Sequence, residues 1–200
     1  MLTKETLVNR KEDLENLAKE IGEGELELLV EWLKEKDDNI RYAAFLLLQS
    51  LSAADNRVYR YWETLARMIG DPNSYQRSLG LMLISENIKW DKENKFATIC
   101  DEYLSHCDDE KFITARQCIQ GLHKVLEHST MYRDQIVNAL VKIDLGKRKD
   151  TQQGLMLLDI IGVLEKIYDE TAEMRVAEYF RAKYEHGDAR VRKTLKKYIS

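Results

Sequence analysis

Cysteine and histidine are the side chains best suited to nucleophilic, acid–base and metal chemistry, and here they are concentrated in one stretch. Cys100, His106, Cys107, Cys118, His123 and His128, which are all three cysteines and three of the four histidines, lie within 29 residues. Seven residues separate Cys100 from Cys107, a spacing that puts both on one face of a helix. Cys118 falls on the helix expected to oppose them. Structural zinc asks for Cys-x2-Cys or His-x3-His spacing with ligands supplied from turns. Neither spacing occurs, so we expect the thiols to pack as small hydrophobes and no metal site. His123 and Asp159 stand one helical repeat apart and could approach as a His–Asp pair, with Ser85 as a nucleophile nearby. Acyl transfer also needs donors for an oxyanion, and no spacing in the chain supplies them. The expectation is therefore no catalytic residue and no cofactor.

A second chemical feature is charge. Residues 175–200 carry eight Lys and Arg against three Asp and Glu, concentrated in ARVRKTLKKY, whereas residues 1–36 carry ten acids and six bases. Arg190, Arg192, Lys193, Lys196 and Lys197 could bind an acidic partner or a phosphate backbone, and the opposed charges allow a weaker head-to-tail self-association. A simpler role is the polar outer face that a terminal repeat needs to stop further stacking.

These residues must be positioned by helices. The chain has 200 residues, 44% hydrophobic and 33% charged, with nine Gly and one Pro, Pro72. Average usage would give roughly fourteen Gly and ten Pro. β-Sandwiches and α/β sheets with Gly-rich phosphate loops need more turn residues than this, which leaves helices joined by short turns. The net charge of −4 gives no general attraction to nucleic acid or anionic lipid. The first twenty residues are charged and lack the apolar run of a signal peptide. The longest dense apolar run, Ala43 to Leu48, is far short of the roughly 20 residues of a membrane span. Sparse, odd-numbered cysteines suit a reducing compartment, so we expect a cytoplasmic protein without membrane contact.

Internal repetition is visible. Asp37 to Leu51 has a counterpart in Asp71 to Ile88: an acidic turn, an Arg, a small residue three positions later and a dense apolar run. Superposing Arg41 on Arg77 places Ala44 on Gly80, a period of 36, and the register continues to Cys118 and Gly154. A fifth, shortened copy is GDARVRKTLKKYI. Between these segments lie others with apolar residues three and four apart, so each unit reads as helix, short acidic turn, helix. Residues 3–20 read as one additional amphipathic helix, ended near Gly22 and Gly24. At Asp71-Pro72 the carboxylate is expected to cap the next helix while Pro removes a donor that would have no partner there.

This pattern resembles the HEAT repeat of the armadillo-like superfamily over about residues 25–199. The match is best in the first two units; the Arg column reads Ala115 in the third and Thr151 in the fourth. The resemblance implies an all-α fold, a right-handed α-α superhelix of about five helix pairs (25–200) behind an amino-terminal capping helix (1–24). A compact helical bundle is the rival, but repeats of constant length with a small residue in a fixed column favour the solenoid. HEAT-like alkylpurine DNA glycosylases use a related solenoid with aromatic residues, an acidic residue and a strongly basic concave surface. Trp90-Asp91 lies where one unit turns into the next, and Trp32 and Trp62 sit at apolar positions, so that likeness is expected to extend to fold alone.

In a HEAT-like stack the second helices line the concave side. With the small residue facing inward, positions two before, two after and five after it fall on the opposite face. That face reads Tyr42, Leu46 and Gln49; Ser78, Met82 and Ser85; Arg116, Gln120 and His123; Gln152, Met156 and Asp159. It is nearly free of repeated cations and is interrupted by Leu46, Met82 and Met156, which suits a peptide or partner helix better than phosphate. The expected function is a non-catalytic scaffold binding an unidentified protein segment on this face. The alternative is a nucleic-acid-binding or DNA-repair protein acting through the basic 190–197 segment.

Overall fold

The computed structural model describes residues 2–199, all of whose regular structure is helical. The α-helices are α1 (Lys4–Asn9), α2 (Leu14–Glu20), α3 (Glu23–Trp32), α4 (Asp38–Ala54), α5 (Trp62–Ile69) and α6 (Ser74–Asn87). They continue as α7 (Phe96–Ser105), α8 (Phe112–His128), α9 (Arg133–Val141), α10 (Asp150–Thr171), α11 (Met174–His186) and α12 (Ala189–Leu195). The chain divides into two compact units, 1–102 and 103–200, with the division inside α7.

In the first unit α4 is the hub. It packs against α1, α2, α3 and α6, while α5 lies against α6. Its apolar run puts Ala44, Leu47, Leu48 and Leu51 out of contact with solvent. Gly80 shows why a small residue is needed in α6: a Cβ there would sit 2.9 Å from Met68 Cβ and 3.0 Å from the Leu65 carbonyl oxygen of α5. In the second unit α8 packs on α10, which in turn meets α9 and α11, and α11 meets α12. Ile136, Leu140, Ile160, Ile161, Leu164 and Phe180 form much of its core.

The turns explain the arginines of the repeat. Arg41 donates to the Glu35 carbonyl at 2.9 Å and Arg77 to the Asp71 carbonyl at 3.0 Å, each reaching back six residues into its own interhelix turn. Where the column reads Ala115, the carbonyl six residues earlier belongs to Asp109, and Arg148 takes it at 2.7 Å. Other side-chain bonds tie neighbouring helix pairs at about one period. Arg57 reaches the Ile21 carbonyl, Asn87 the Ser52 hydroxyl and Arg175 the Asn138 side chain, 36, 35 and 37 residues away.

Three local expectations are corrected. Residues 3–20 form two short helices, not one, because the chain turns at Arg10–Asp13, where Arg10 pairs with both Asp13 and Glu20. The cap of α6 is Asn73, whose side chain accepts the Tyr75 N–H; Asp71 instead accepts the Asn73 N–H in the turn before it. Gly154 makes no close helix contact, since a Cβ there would meet nothing within 4 Å. The two glycines therefore respond oppositely to alanine. Gly80→Ala should destabilise the protein by about 1–3 kcal/mol through overpacking against α5, whereas Gly154→Ala should stabilise it by about 0.5–1 kcal/mol by relieving helix entropy. Urea midpoints of the two variants against the parent check both signs.

Candidate functional site

The outward face of the second helices differs between the units. On α4 the sequence register holds: Tyr42 is 59% exposed, and Leu46 and Gln49 are half-buried. Of Ser78, Met82 and Ser85 on α6, only Met82 keeps partial access. Ser78 and Ser85 are buried because α6 is covered by both α4 and α5, and the Ser85 hydroxyl donates to the Met82 carbonyl at 2.8 Å. Gln49 crosses to Glu86 at 2.7 Å, joining α4 to α6.

Beside Tyr42 the first unit opens a cleft of about 290 Å³ between α1, α4 and α6. Val8, Ala43, Leu46 and Leu79 give it an apolar floor, and Tyr42 and Tyr75 stand at its rim. Tyr75, 60% exposed, was not anticipated from the column of small residues. The available signal was its position seven residues before Met82, on the same side of α6. The Arg41 guanidinium lies over the Tyr75 ring, 4.8 Å from its centroid, and so fixes one wall. Its other bonds, to Asp38 and to the Glu35 carbonyl, lock the guanidinium in that place. Lys11 adds a cation to the lining.

In the second unit the corresponding positions are polar and paired. Asp159 on α10 accepts two bonds from Arg116 on α8, at 2.5 and 3.1 Å, and a third from Gln120 at 3.0 Å. Asp159 is thereby committed to those donors, and its expected bond to His123 is not formed. His123 instead lies near Gly162, where a Cβ would meet the imidazole at an ordinary 3.6 Å, and Lys166 donates to the His123 carbonyl at 3.4 Å. Met156 is fully buried, so it is core and not an open-face residue. The reason is register: Leu157, not Gly154, faces inward on α10, which opens Leu155, Asp159 and Gly162 instead. Gln152 is half-buried at the start of that helix.

The other candidate residues have structural partners. Cys107 and Cys118 sulfurs lie 3.5 Å apart, and the Cys118 thiol donates to the Tyr103 carbonyl. Burial raises the Cys118 pKa well above its ordinary value. His106 bonds Asp109 at 3.0 Å, and among the described residues no three His, Cys, Asp or Glu gather as metal ligands. Trp90 donates to the Ser52 carbonyl, while Asp91 accepts from Tyr59 and from the backbone of Lys95 and Phe96. Trp32 and Trp62 are buried. Arg190, Arg192, Lys193, Lys196 and Lys197 are all exposed on α12 and the turn that follows it. Among the described residues no helix is long and apolar enough to cross a membrane.

No protein-family model matches the chain, and no curated protein matches it.

The setting of His123 yields a pH dependence. Burial, and then the Lys166 charge, lower its pKa below the ordinary value, with Asp159 opposing them. The native state thus binds this proton less readily than the unfolded chain, whose histidines titrate near 6.5. The contribution of His123 is intact above that pH and is lost as pH falls through it, at no more than about 1.4 kcal/mol per pH unit. The urea midpoint should drop between pH 7.5 and 5.5, and His123→Gln should make that drop shallower.

Proposed function

We propose that this chain is a non-catalytic protein-interaction module of the HEAT type, an α-α solenoid that receives a segment of a partner protein on its second helices, in the cytoplasm. Repetition supports the solenoid: helix pairs recur along the chain, a guanidinium meets three of their turn carbonyls, and side-chain bonds one period long link neighbouring pairs within each compact unit. The fate of the polar candidates supports the absence of catalysis, because Asp159 and Ser85 both have their bonding taken up within the protein. Three buried thiols, none in a disulfide, fit a reducing compartment.

One observation carries the binding role. Tyr42 and Tyr75 are 59% and 60% exposed at the rim of an apolar cleft. Tyrosine at such a position offers large contact area with little rotamer entropy to lose, which is why it is enriched at interfaces. The cleft accommodates one or two apolar side chains, so the partner segment is expected to present them at helical or extended spacing.

In-cell photo-crosslinking tests this directly. A photoreactive phenylalanine at Tyr75 should give a discrete crosslinked species that disappears when Leu46→Glu is added. The same probe at Met174, which is 72% exposed on α11, should not give that species. Identical products from both positions, or persistence with Leu46→Glu, would remove the cleft as the binding site.

A further inference from the structure

We propose that the exposed side of α12 and the turn after it is a second docking surface, one that takes an acidic polypeptide segment. At 100° per residue, Arg190, Arg192, Lys193, Lys196 and Lys197 fall within an arc of about 160°. Val191 and Leu195 occupy the opposite side and are buried. Five cations thus share one face, spread over about 10 Å of helix length. No Asp or Glu occurs between residues 189 and 199 to offset them.

The bonding of the arginines sets this face apart. Every arginine from Arg10 to Arg175 donates to, or pairs with, a carboxylate, carbonyl or hydroxyl oxygen of the protein. Arg190 has no such partner among the described residues, nor do Lys193 and Lys196; Arg192 reaches the Glu185 carbonyl at 3.3 Å, and Lys197 pairs with Glu165 at 3.7 Å and lies over the Tyr198 ring, 4.5 Å from its centroid. Arg181, on α11, also lacks such a partner among the described residues; the five cations of this face are set apart by sharing one side of α12 and the turn after it, which leaves carboxylate-binding capacity open there.

Three observations favour a polypeptide over a nucleic acid. The face is short: about 10 Å matches three or four residues of an extended acidic segment, but only two or so successive phosphates. Among the described residues this face offers no aromatic platform for bases, because the Tyr198 ring is packed against Tyr168 and Phe180, with centroids 5.3 and 5.0 Å away. Residues 1–174 carry 23 basic and 32 acidic side chains, an unfavourable field for a long polyanion.

The test is fluorescence anisotropy of the full chain with a labelled glutamate-rich peptide of about twelve residues, at low and at near-physiological salt, where the screening length shrinks to about 8 Å. The peptide should bind at low salt, weaken as salt rises, and lose at least about tenfold in affinity with Arg190→Glu, Lys193→Glu and Lys196→Glu combined. A glutamine version of the same triple change gives the readout should the charge-reversed protein fail to fold. No binding at low salt, or binding that neither triple variant weakens, overturns the proposal. So does tighter binding of a single-stranded or duplex oligonucleotide of similar charge that the same variants abolish, since the face would then be a nucleic-acid site.

Discussion

A carbonyl oxygen stranded in a short turn must find a donor, and in this protein that requirement organises four of the five helix pairs. A helix end leaves its last carbonyls without intrahelical partners, and turns of a few residues with a single proline in the chain offer little else to satisfy them. The guanidinium of Arg41 or Arg77 reaches back from the second helix to do so, which fixes where that helix starts and the angle at which it leaves the turn. The same oxygen position persists when the arginine does not. Asp109 has no arginine six residues on, and Arg148 supplies the donor from the following pair. With Leu157 as the inward residue of α10, the equivalent oxygen is that of Arg148 itself, and Gln153 donates to it at 3.0 Å. The acceptor is the constant of the repeat, and the donor is free to move.

Once the pairs are set by their turns, the close approach within them follows. Gly80 lets α6 settle onto the backbone of α5, and Cys118 brings a small side chain into hydrogen-bond distance of the Tyr103 carbonyl. Both keep the second helix near the first. In the first unit α4 also packs on α6, held by the Gln49 to Glu86 bond and the buried Asn87 to Ser52 bond. These polar links sit in the second half of each helix. In the first half of α4 and α6 the link is the Arg41 guanidinium over the Tyr75 ring, and the cleft opens there.

The helical character, the pairing and the outward faces of α4 and α8 were legible from sequence because apolar spacing and the small residues Ala44, Gly80 and Cys118 all agree. The register of α10 was not. Gly154 stands 36 residues after Cys118 and looks equivalent to Gly80, but the step from Cys118 to the inward-facing Leu157 is 39 residues, and nothing in the residue types at 154 and 157 marks the difference. Asp159 kept its place on the open face because five after one reference and two after the other are the same position. Met156 did not. The break between α1 and α2 was equally hidden, since it rests on Arg10 meeting Asp13 and Glu20 and not on any glycine or proline. Burial of Ser78 and Ser85 depends on α6 being covered from two sides, which a single helix pattern cannot express.

The two units show how one helical register yields different surfaces. Two before and two after the inward residue, the first unit places Tyr42 and Leu46 on α4 with Ser78 and Met82 on α6. The second places Arg116 and Gln120 on α8 with Leu155 and Asp159 on α10. In the second unit these positions close on themselves, because one carboxylate accepts from both a guanidinium and an amide across the helix pair. A groove filled by such a network has its polar groups satisfied, and an incoming segment would have to replace three charge-assisted bonds to enter. In the first unit the positions two after the inward residue are Leu46 and Met82 in place of Gln120 and Asp159, so apolar surface stays open between the helices. The difference between a bracing contact and a receptive one is therefore carried by side chains at equivalent positions, on a backbone arrangement that the turn carbonyls hold in common.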